Sequence, residues 1–168
     1  MTIRDTLSED AAAVATLIDS VSRERRYLAG TVGFSVESTQ AFIASLRSAN
    51  GVHILAVIGG AVVGWCDITP WPYEGMKHVG RLGMGVKSGF RGQGTGKRLL
   101  EAALLRAFNT GLERVELEVF DSNRAAVRLY ESFGFVREGR KIAARKLDGI
   151  SDDLLLYATF KKTYPSLE

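Results

Sequence analysis

Three glycines alternate with other residues in the segment Arg91-Gly92-Gln93-Gly94-Thr95-Gly96-Lys97. The residues that follow predict a helix, because Leu99, Leu100 and Leu104 lie at helical spacing. A glycine loop that opens into a helix leaves several backbone N–H groups free to point at one spot, and the positive end of the helix favours negative charge there. The segment is therefore a candidate site for an anion, most naturally a phosphate. The alternative is a loop in which the glycines only turn the chain.

Two well-known phosphate-binding loops do not match this spacing. A P-loop needs four residues between its glycines and then Lys-Ser/Thr, whereas three residues separate Gly92 from Gly96 and Arg98 follows Lys97. The dinucleotide fingerprint fails as well, because its third glycine would fall on Lys97. The pattern that fits is Arg/Gln-x-x-Gly-x-Gly/Ala after a strand, and residues 79–86 predict such a strand.

A second block follows the helix. It reads Val115-Glu-Leu-Glu-Val-Phe-Asp-Ser-Asn123, then Ala126, then Leu129-Tyr130-Glu-Ser-Phe-Gly-Phe135. Over residues 79–136 the two blocks, in this order and at this separation, resemble the GNAT superfamily of N-acetyltransferases. The resemblance implies an acyl-CoA N-acyltransferase fold. It also implies acetyl-CoA as co-substrate and direct attack of an amine on the thioester in a ternary complex. No metal is expected, because the sequence has no cluster of Cys and His residues.

The resemblance assigns the coenzyme to the glycine loop and the strand before it. The loop would grip the pyrophosphate, and the strand backbone would run beside the pantetheine arm like an added strand. One backbone N–H of residues 84–86, for which Met84 is the preferred candidate, would polarise the thioester carbonyl. Asn123 would hydrogen-bond the pantetheine amide, and it could equally cap a helix. The residues implied in coenzyme binding are Met84, Gly85, Val86, Arg91, Gly92, Gln93, Gly94, Thr95, Gly96, Lys97 and Asn123.

The resemblance also implies two catalytic residues. Tyr130 matches a tyrosine that protonates the departing thiolate, a role suited to a phenol that stays protonated at neutral pH; the alternative is a packing residue. Glu118 matches the general base of the ribosomal-protein alanine acetyltransferase branch. Strand alternation puts Glu118 on the same face as Glu116, which is either the cleft or solvent. Other candidates for the base are His78, Glu74, Asp67 and an ordered water.

The amine acceptor is less clearly marked. The tail from Arg140 is similar to a branch of small-molecule acetyltransferases, which favours an amino acid or a related primary amine. A free amino acid would need a cation such as Arg23, Arg26 or Arg145 for its carboxylate. The runner-up is acetylation of protein N-termini, and a third hypothesis is a catalytically silent module that binds acyl-CoA. Because many relatives pair through their last strands, a homodimer is a further expectation.

The surrounding periodicity predicts the elements that position these blocks. In chain order we expect helices at residues 8–22 and around 42–46, a hairpin over 52–68, a strand at 79–86, a helix ending near Gly111, a strand at 115–120, a helix at 123–133, and strands around 136–146 and 153–160. The first two helices should cover one face of a sheet. This order predicts an α/β fold with a central mixed, mostly antiparallel sheet flanked by helices.

Composition narrows the class of protein. A length of 168 residues with 46% apolar and 24% charged residues predicts a single globular domain over 1–168. The net charge of +3 is too small to indicate nucleic-acid binding. The single cysteine cannot form an internal disulfide, and neither a signal peptide nor an apolar stretch of membrane-spanning length is present. We therefore expect a cytoplasmic protein that does not bind membranes.

Overall fold

A computed structural model describes residues 1–164, in which seven strands and four α-helices are found. The strands are β1 (Thr2–Asp5), β2 (Val52–Ile58), β3 (Ala61–Pro70), β4 (Val79–Val86), β5 (Arg114–Phe120), β6 (Val136–Leu147) and β7 (Ile150–Phe160). The helices are α1 (Ala11–Ser22), α2 (Val36–Ser48), α3 (Thr95–Asn109) and α4 (Arg124–Ser132). The predicted α/β class is confirmed. The prediction of one domain over 1–168 extends past the described residues and stays a prediction.

The strands form one sheet in the order β1-β2-β3-β4-β5-β7-β6. Every neighbouring pair is antiparallel except β4 and β5, which are parallel, so the predicted mixed, mostly antiparallel sheet is confirmed. Strand β1 was not predicted from the sequence. Its four residues are too few to show an alternating pattern, and it is ordered because it pairs with the edge of β2.

The central strands β4 and β5 separate partway along their length. They pair only through Val79–Arg114, Gly80–Val115 and Arg81–Glu116. Beyond these residues β4 continues along β3 as far as Val86, and β5 continues along β7 as far as Phe120. The two strands therefore diverge in the middle of the sheet, where each presents backbone groups that the other does not use.

The helices lie on both faces of the sheet. On one face, Val14 and Leu17 of α1 pack with Leu55 of β2, and Phe42 of α2 makes an edge contact with His53, two residues earlier on β2. Residues two apart on a strand share a face, so α1 and α2 cover the same side, as predicted. On the other face, α3 and α4 join one large apolar cluster. None of the helices in residues 1–164 is long and apolar enough to cross a membrane.

Candidate active site

The glycine loop lies between β4 and α3. Gly92 has φ +71° and Gly94 has φ +82°, a left-handed backbone that side chains with a Cβ rarely adopt. A Cβ at either position would have no neighbour within 4 Å, so glycine is required by the backbone and the space above the loop is open. Gly96 differs, because its φ lies outside the left-handed region and its Cβ position is 3.4 Å from Leu129 of α4. Its role is close packing in the first turn of α3.

Arg91 fastens the loop to the rest of the molecule. Its Nε donates to the carbonyl of Val86 at 2.7 Å, and its two terminal nitrogens donate to the carboxylate of Glu24 at 2.7 and 2.6 Å. The guanidinium also lies 4.5 Å above the ring of Tyr27. The charge of Arg91 is thus largely matched by Glu24, whereas Lys97 is exposed at the loop and supplies a cation to an anion there.

The remaining loop residues hold its shape. The side-chain amide of Gln93 donates to the carbonyl of Gly89 at 2.9 Å, which closes the turn. Thr95 is buried as the first residue of α3, and the N–H of Arg98 donates to the carbonyl of Gly94 at 3.1 Å, the first helical hydrogen bond. Backbone N–H groups at this helix start precede the ladder and so have no partner within α3.

A cavity of about 490 Å³ extends from the glycine loop into the gap between β4 and β5. We call it the coenzyme cavity. It contains most of the residues predicted to bind coenzyme, whereas Gln93 and Thr95 are not in its wall. Its wall includes Met84, Gly85, Val86, Arg91, Gly92, Gly94, Gly96, Lys97, Asn123, Glu118 and Tyr130.

Gly85 is fixed by its neighbour across the sheet. It pairs with Trp65 of β3, and a Cβ at Gly85 would lie 2.2 Å from the indole ring. The tryptophan therefore covers the Gly85 backbone at a distance that only glycine permits. This packing holds the β4 backbone in the wall of the coenzyme cavity.

Helix α4 brings Asn123 and Tyr130 to the same cavity. Asn123 caps the helix, since its Oδ1 accepts from the N–H of Ala126 at 3.3 Å, and its amide nitrogen is left to donate elsewhere. Tyr130 is 7% exposed, and burial together with the nearby Cys66 raises the pKa of its hydroxyl above the ordinary value. Within residues 1–164 no hydrogen bond engages that hydroxyl, so its proton is not committed to another protein group.

A second cavity of about 850 Å³ meets the coenzyme cavity. We call it the acceptor cavity. The two share Leu82, Gly83 and Glu118, at the point where β4 and β5 separate. Aromatic and charged side chains dominate the rest of its wall, which includes Phe42, Asp67, Thr69, Trp71, Arg81, Arg114, Glu116, Glu138, Lys141 and Tyr157.

The structure separates the candidates for a general base. Glu118 lies at the junction of the two cavities, is about half exposed, and accepts a hydrogen bond from Lys141 Nζ at 2.6 Å. His78 and Glu74 are not among the residues that line either cavity. Asp67, a minor candidate in the sequence, lines the acceptor cavity opposite Gly83.

The environment of Asp67 is suited to a group that exchanges protons near neutral pH. Burial raises the pKa of the Asp67 carboxyl to about 7, although a hydrogen bond with Trp65 and the positive charge of Arg81 act in the opposite direction. Its Oδ1 lies 3.1 Å from the Cβ position of Gly83, a residue in the wall of both cavities. The sequence signal was weak, because one acidic residue in an apolar strand does not reveal which cavity it faces.

The cations predicted to receive an acceptor carboxylate lie elsewhere. Arg23 pairs with Asp19 at 2.6 Å on the surface of α1. Arg145 pairs with Asp152 at 3.0 Å, lies 3.8 Å above the ring of Phe120, and donates to the carbonyl of Arg26. None of the three predicted arginines lines the acceptor cavity. Within residues 1–164, no group of three or more His, Cys, Asp or Glu side chains could together hold a metal ion.

The sheet divided between β4 and β5, with a glycine loop beside the gap, defines a class of enzyme. Residues 16–135 match the model of the acetyltransferase (GNAT) family. The chain therefore belongs to the GNAT acetyltransferases, and the resemblance found in its two sequence blocks is confirmed.

Particular relatives differ in their acceptors. The chain is 36% identical over 114 residues to a Mycobacterium tuberculosis protein described as N-alpha-acetyltransferase RimI, covering 65% of this chain and 67% of the relative. It is 32% identical over 96 residues to an Escherichia coli protein described as L-amino acid N-acetyltransferase AaaT, covering 55% of this chain and 59% of the relative. A solved structure of a GNAT phosphinothricin acetyltransferase from Sinorhizobium meliloti, in complex with acetyl-CoA, shares the fold with a TM-score of 0.89 at 16% identity, covering 95% of this chain and 87% of that one.

Proposed function

We propose that this acetyltransferase moves the acetyl group of acetyl-CoA to the primary amine of a small molecule, such as an amino acid or a related amine, by direct attack in a ternary complex. The observation that carries the proposal is the meeting of the coenzyme and acceptor cavities at Leu82, Gly83 and Glu118. A ligand in each cavity would reach the other beside these three shared residues. Such a junction supports direct transfer, because both reactants can be held at once.

The coenzyme cavity would hold acetyl-CoA along its length. The pyrophosphate would accept hydrogen bonds from the backbone of the glycine loop, with Lys97 as a nearby cation. The pantetheine arm would lie beside residues 84–86, whose neighbour β5 has already diverged. The amide of Asn123 would donate to the arm while its oxygen caps α4. The acetyl-CoA complex of the Sinorhizobium relative, which has the same fold, supports this coenzyme.

The transfer itself requires one bond to form and one to break. The neutral amine attacks the thioester carbonyl carbon, and the developing oxyanion is stabilised by a β4 backbone N–H, with Met84 as first choice. The C–S bond then breaks, and the thiolate takes a proton from the Tyr130 hydroxyl. The Tyr130 hydroxyl is protonated at neutral pH, and it has no hydrogen-bond partner within residues 1–164, so its proton is available for that step. The proton lost by the amine must go to a base on the acceptor side.

Two carboxylates reach the acceptor side of the junction. Glu118, the base expected from the resemblance, is already engaged in an ion pair with Lys141, whose Nζ donates to its carboxylate at 2.6 Å. Asp67 has a pKa of about 7 and packs against Gly83. We assign the proton to Asp67 and keep Glu118 as the alternative, because a base is most effective when its pKa lies near the working pH.

Two other functions are kept as outcomes of the test. The Mycobacterium tuberculosis relative favours acetylation of a protein N-terminus, which would need a groove open to a peptide. A silent module would bind acyl-CoA without transfer. The deciding experiment follows free-thiol release from acetyl-CoA with amino acids, polyamines, aminoglycosides and short peptides, and identifies the N-acetylated product by mass. Turnover with small amines supports the proposal, preference for peptides supports the alternative, and coenzyme binding without thiol release indicates a silent module.

A further inference from the structure

The charges in the wall of the acceptor cavity do not all cancel. Seven charged side chains line the cavity within the described chain: Asp67, Arg81, Arg114, Glu116, Glu118, Glu138 and Lys141. Five of them form ion pairs with one another. Arg114 bridges Glu116 and Glu138, and Lys141 pairs with Glu118. The two that remain without an ion-pair partner in residues 1–164 are one acid, Asp67, and one base, Arg81.

Arg81 is held in place without being neutralised. Its register partner on β5 is Glu116, but that carboxylate accepts from Trp71 Nε1 at 3.0 Å and from Arg114 at 3.0 Å. The Arg81 guanidinium instead lies 4.8 Å above the Trp71 ring, which stacks in turn on Tyr73. A guanidinium fixed by stacking keeps its N–H groups free to donate, so it loses little freedom when it binds an anion.

Asp67 and Arg81 face the same cavity at a short separation. Asp67 is opposite Gly83 in the β3–β4 ladder, and Arg81 lies two residues from Gly83 on the same face. Such diagonal neighbours have Cα atoms about 7–8 Å apart, which is near enough for one small molecule in the cavity to contact both side chains. An α-amino acid carries its amine and its carboxylate on the same carbon, so it offers one group to each side chain.

We infer that Arg81 selects the acceptor by binding a carboxylate that the acceptor carries next to its amine, so that an α-amino acid is held between Arg81 and Asp67. The inference rests on the proposed function and adds to it the residue that recognises the acceptor. Arg114 and Lys141 do not serve this purpose, because carboxylates of the same cavity already occupy them. The side chain of the amino acid would extend along Trp71 and Phe42.

The test measures kcat/KM for each free amino acid of the kinds found in proteins and for its carboxamide. Each is the acetyl acceptor for the full chain at saturating acetyl-CoA. A carboxamide keeps the amine and the side chain but removes the negative charge. For the best amino acid we expect kcat/KM to exceed that of its carboxamide by about 10- to 100-fold, the range for one hydrogen-bonded charge pair. Arg81→Gln should remove this preference through KM for the amino acid and should change the carboxamide by only a few-fold.

Arg137→Gln is the matched control, since Arg137 is exposed on β6 and lines neither cavity. It removes one positive charge without touching the acceptor, so the carboxylate preference should persist. Arg81→Lys should restore part of the preference, because a point charge replaces the planar guanidinium. Equal kcat/KM for an amino acid and its carboxamide in the wild type, or an equal loss for both in Arg81→Gln, would overturn the inference.

A binding measurement separates this inference from the proposed function. Calorimetric titration of the same amino acids and carboxamides into the protein saturated with CoA needs no turnover. If carboxylate-dependent binding is seen and is lost in Arg81→Gln while no amine is acetylated, Arg81 binds the carboxylate as inferred and the proposed function fails. If amines are acetylated without any carboxylate preference, the proposed function stands and the inference about Arg81 is wrong. Absence of binding together with absence of turnover overturns both.

Discussion

The carboxylate of Asp67 lies against the backbone of Gly83, with its Oδ1 3.1 Å from the position that a Cβ would take. Gly83 belongs to the wall of both the coenzyme and the acceptor cavities. The absence of a side chain at Gly83 therefore lets an acidic group of β3 approach the junction of the two cavities. This contact is the structural basis for assigning the amine proton to Asp67.

Asp67→Asn should lower kcat/KM by about 100-fold, within the usual range for loss of a general base. In the wild type, kcat/KM should rise with pH through about 7, the pKa of Asp67, and this limb should vanish in the variant. His53, its register partner on β2, does not titrate in this range, because burial lowers its pKa to about 4. The measurement is a pH–rate profile with the best acceptor.

Glu118→Gln is the matched comparison for that profile. If Glu118 accepts the proton instead, Glu118→Gln will lose the rise of kcat/KM with pH and Asp67→Asn will keep it. A profile that neither change alters would assign proton transfer to water. Both variants should bind acetyl-CoA with ordinary affinity, which confirms that they are folded.

The same carboxyl should affect stability in a defined pH window. The folded pKa of Asp67 is about 7, above the ordinary value of 3.8, so the unfolded chain ionises first as pH rises. Wild-type stability attributable to this group is therefore highest below about pH 4, falls between pH 4 and 7, and is constant above. The Tm of Asp67→Asn relative to wild type should increase across that window. A Tm difference that does not change with pH would show that the Asp67 pKa is unshifted.

Tyr130→Phe should reduce kcat by about 100-fold or more and leave acetyl-CoA affinity nearly unchanged. The hydroxyl makes no hydrogen bond within residues 1–164, so its removal should cost little stability. Calorimetric titration of acetyl-CoA and steady-state rates, measured on the same preparation, check this separation. Unchanged turnover would mean that the thiolate obtains its proton from another donor.

Gly94→Val should abolish acetyl-CoA binding while the sheet stays folded. The residue has φ +82°, and a β-branched side chain there would distort the loop that presents its N–H groups. Gly60→Val is the control, because Gly60 has a similar φ of +80° in the β2–β3 hairpin and also has open space around its Cβ position. Loss of coenzyme affinity in both variants, or in neither, would remove the special role of the loop.

Much of the fold could be predicted from sequence. Gly59-Gly60 between two β-branched runs predicted the β2–β3 hairpin, and both glycines have positive φ. Leu99, Leu100 and Leu104 predicted the buried face of α3, and all three are fully buried. These local patterns are set by neighbours in the chain, which is why periodicity reveals them.

The acceptor side of the site could not be predicted in the same way. Asp67 and Arg81 lie on different strands, and their juxtaposition depends on the β3–β4 register. Arg145 is occupied by Asp152, its register partner across the β6–β7 hairpin, whereas Glu116, the register partner of Arg81, is taken by Trp71 and Arg114. Glycine spacing and hydrophobic periodicity carry no information about such pairings. The coenzyme side has motifs because it uses backbone and consecutive residues, whereas the acceptor side is assembled from separate strands.

Direct acetyl transfer to a small amine is tested by product identification with the wild-type chain, acetyl-CoA and the amino-acid panel. We predict free CoA and the N-acetylated amine in equal amounts, with initial-rate plots that intersect as a ternary complex requires. Acetyl-CoA that binds with no acetylated product from any amine would contradict acetyl transfer by this protein.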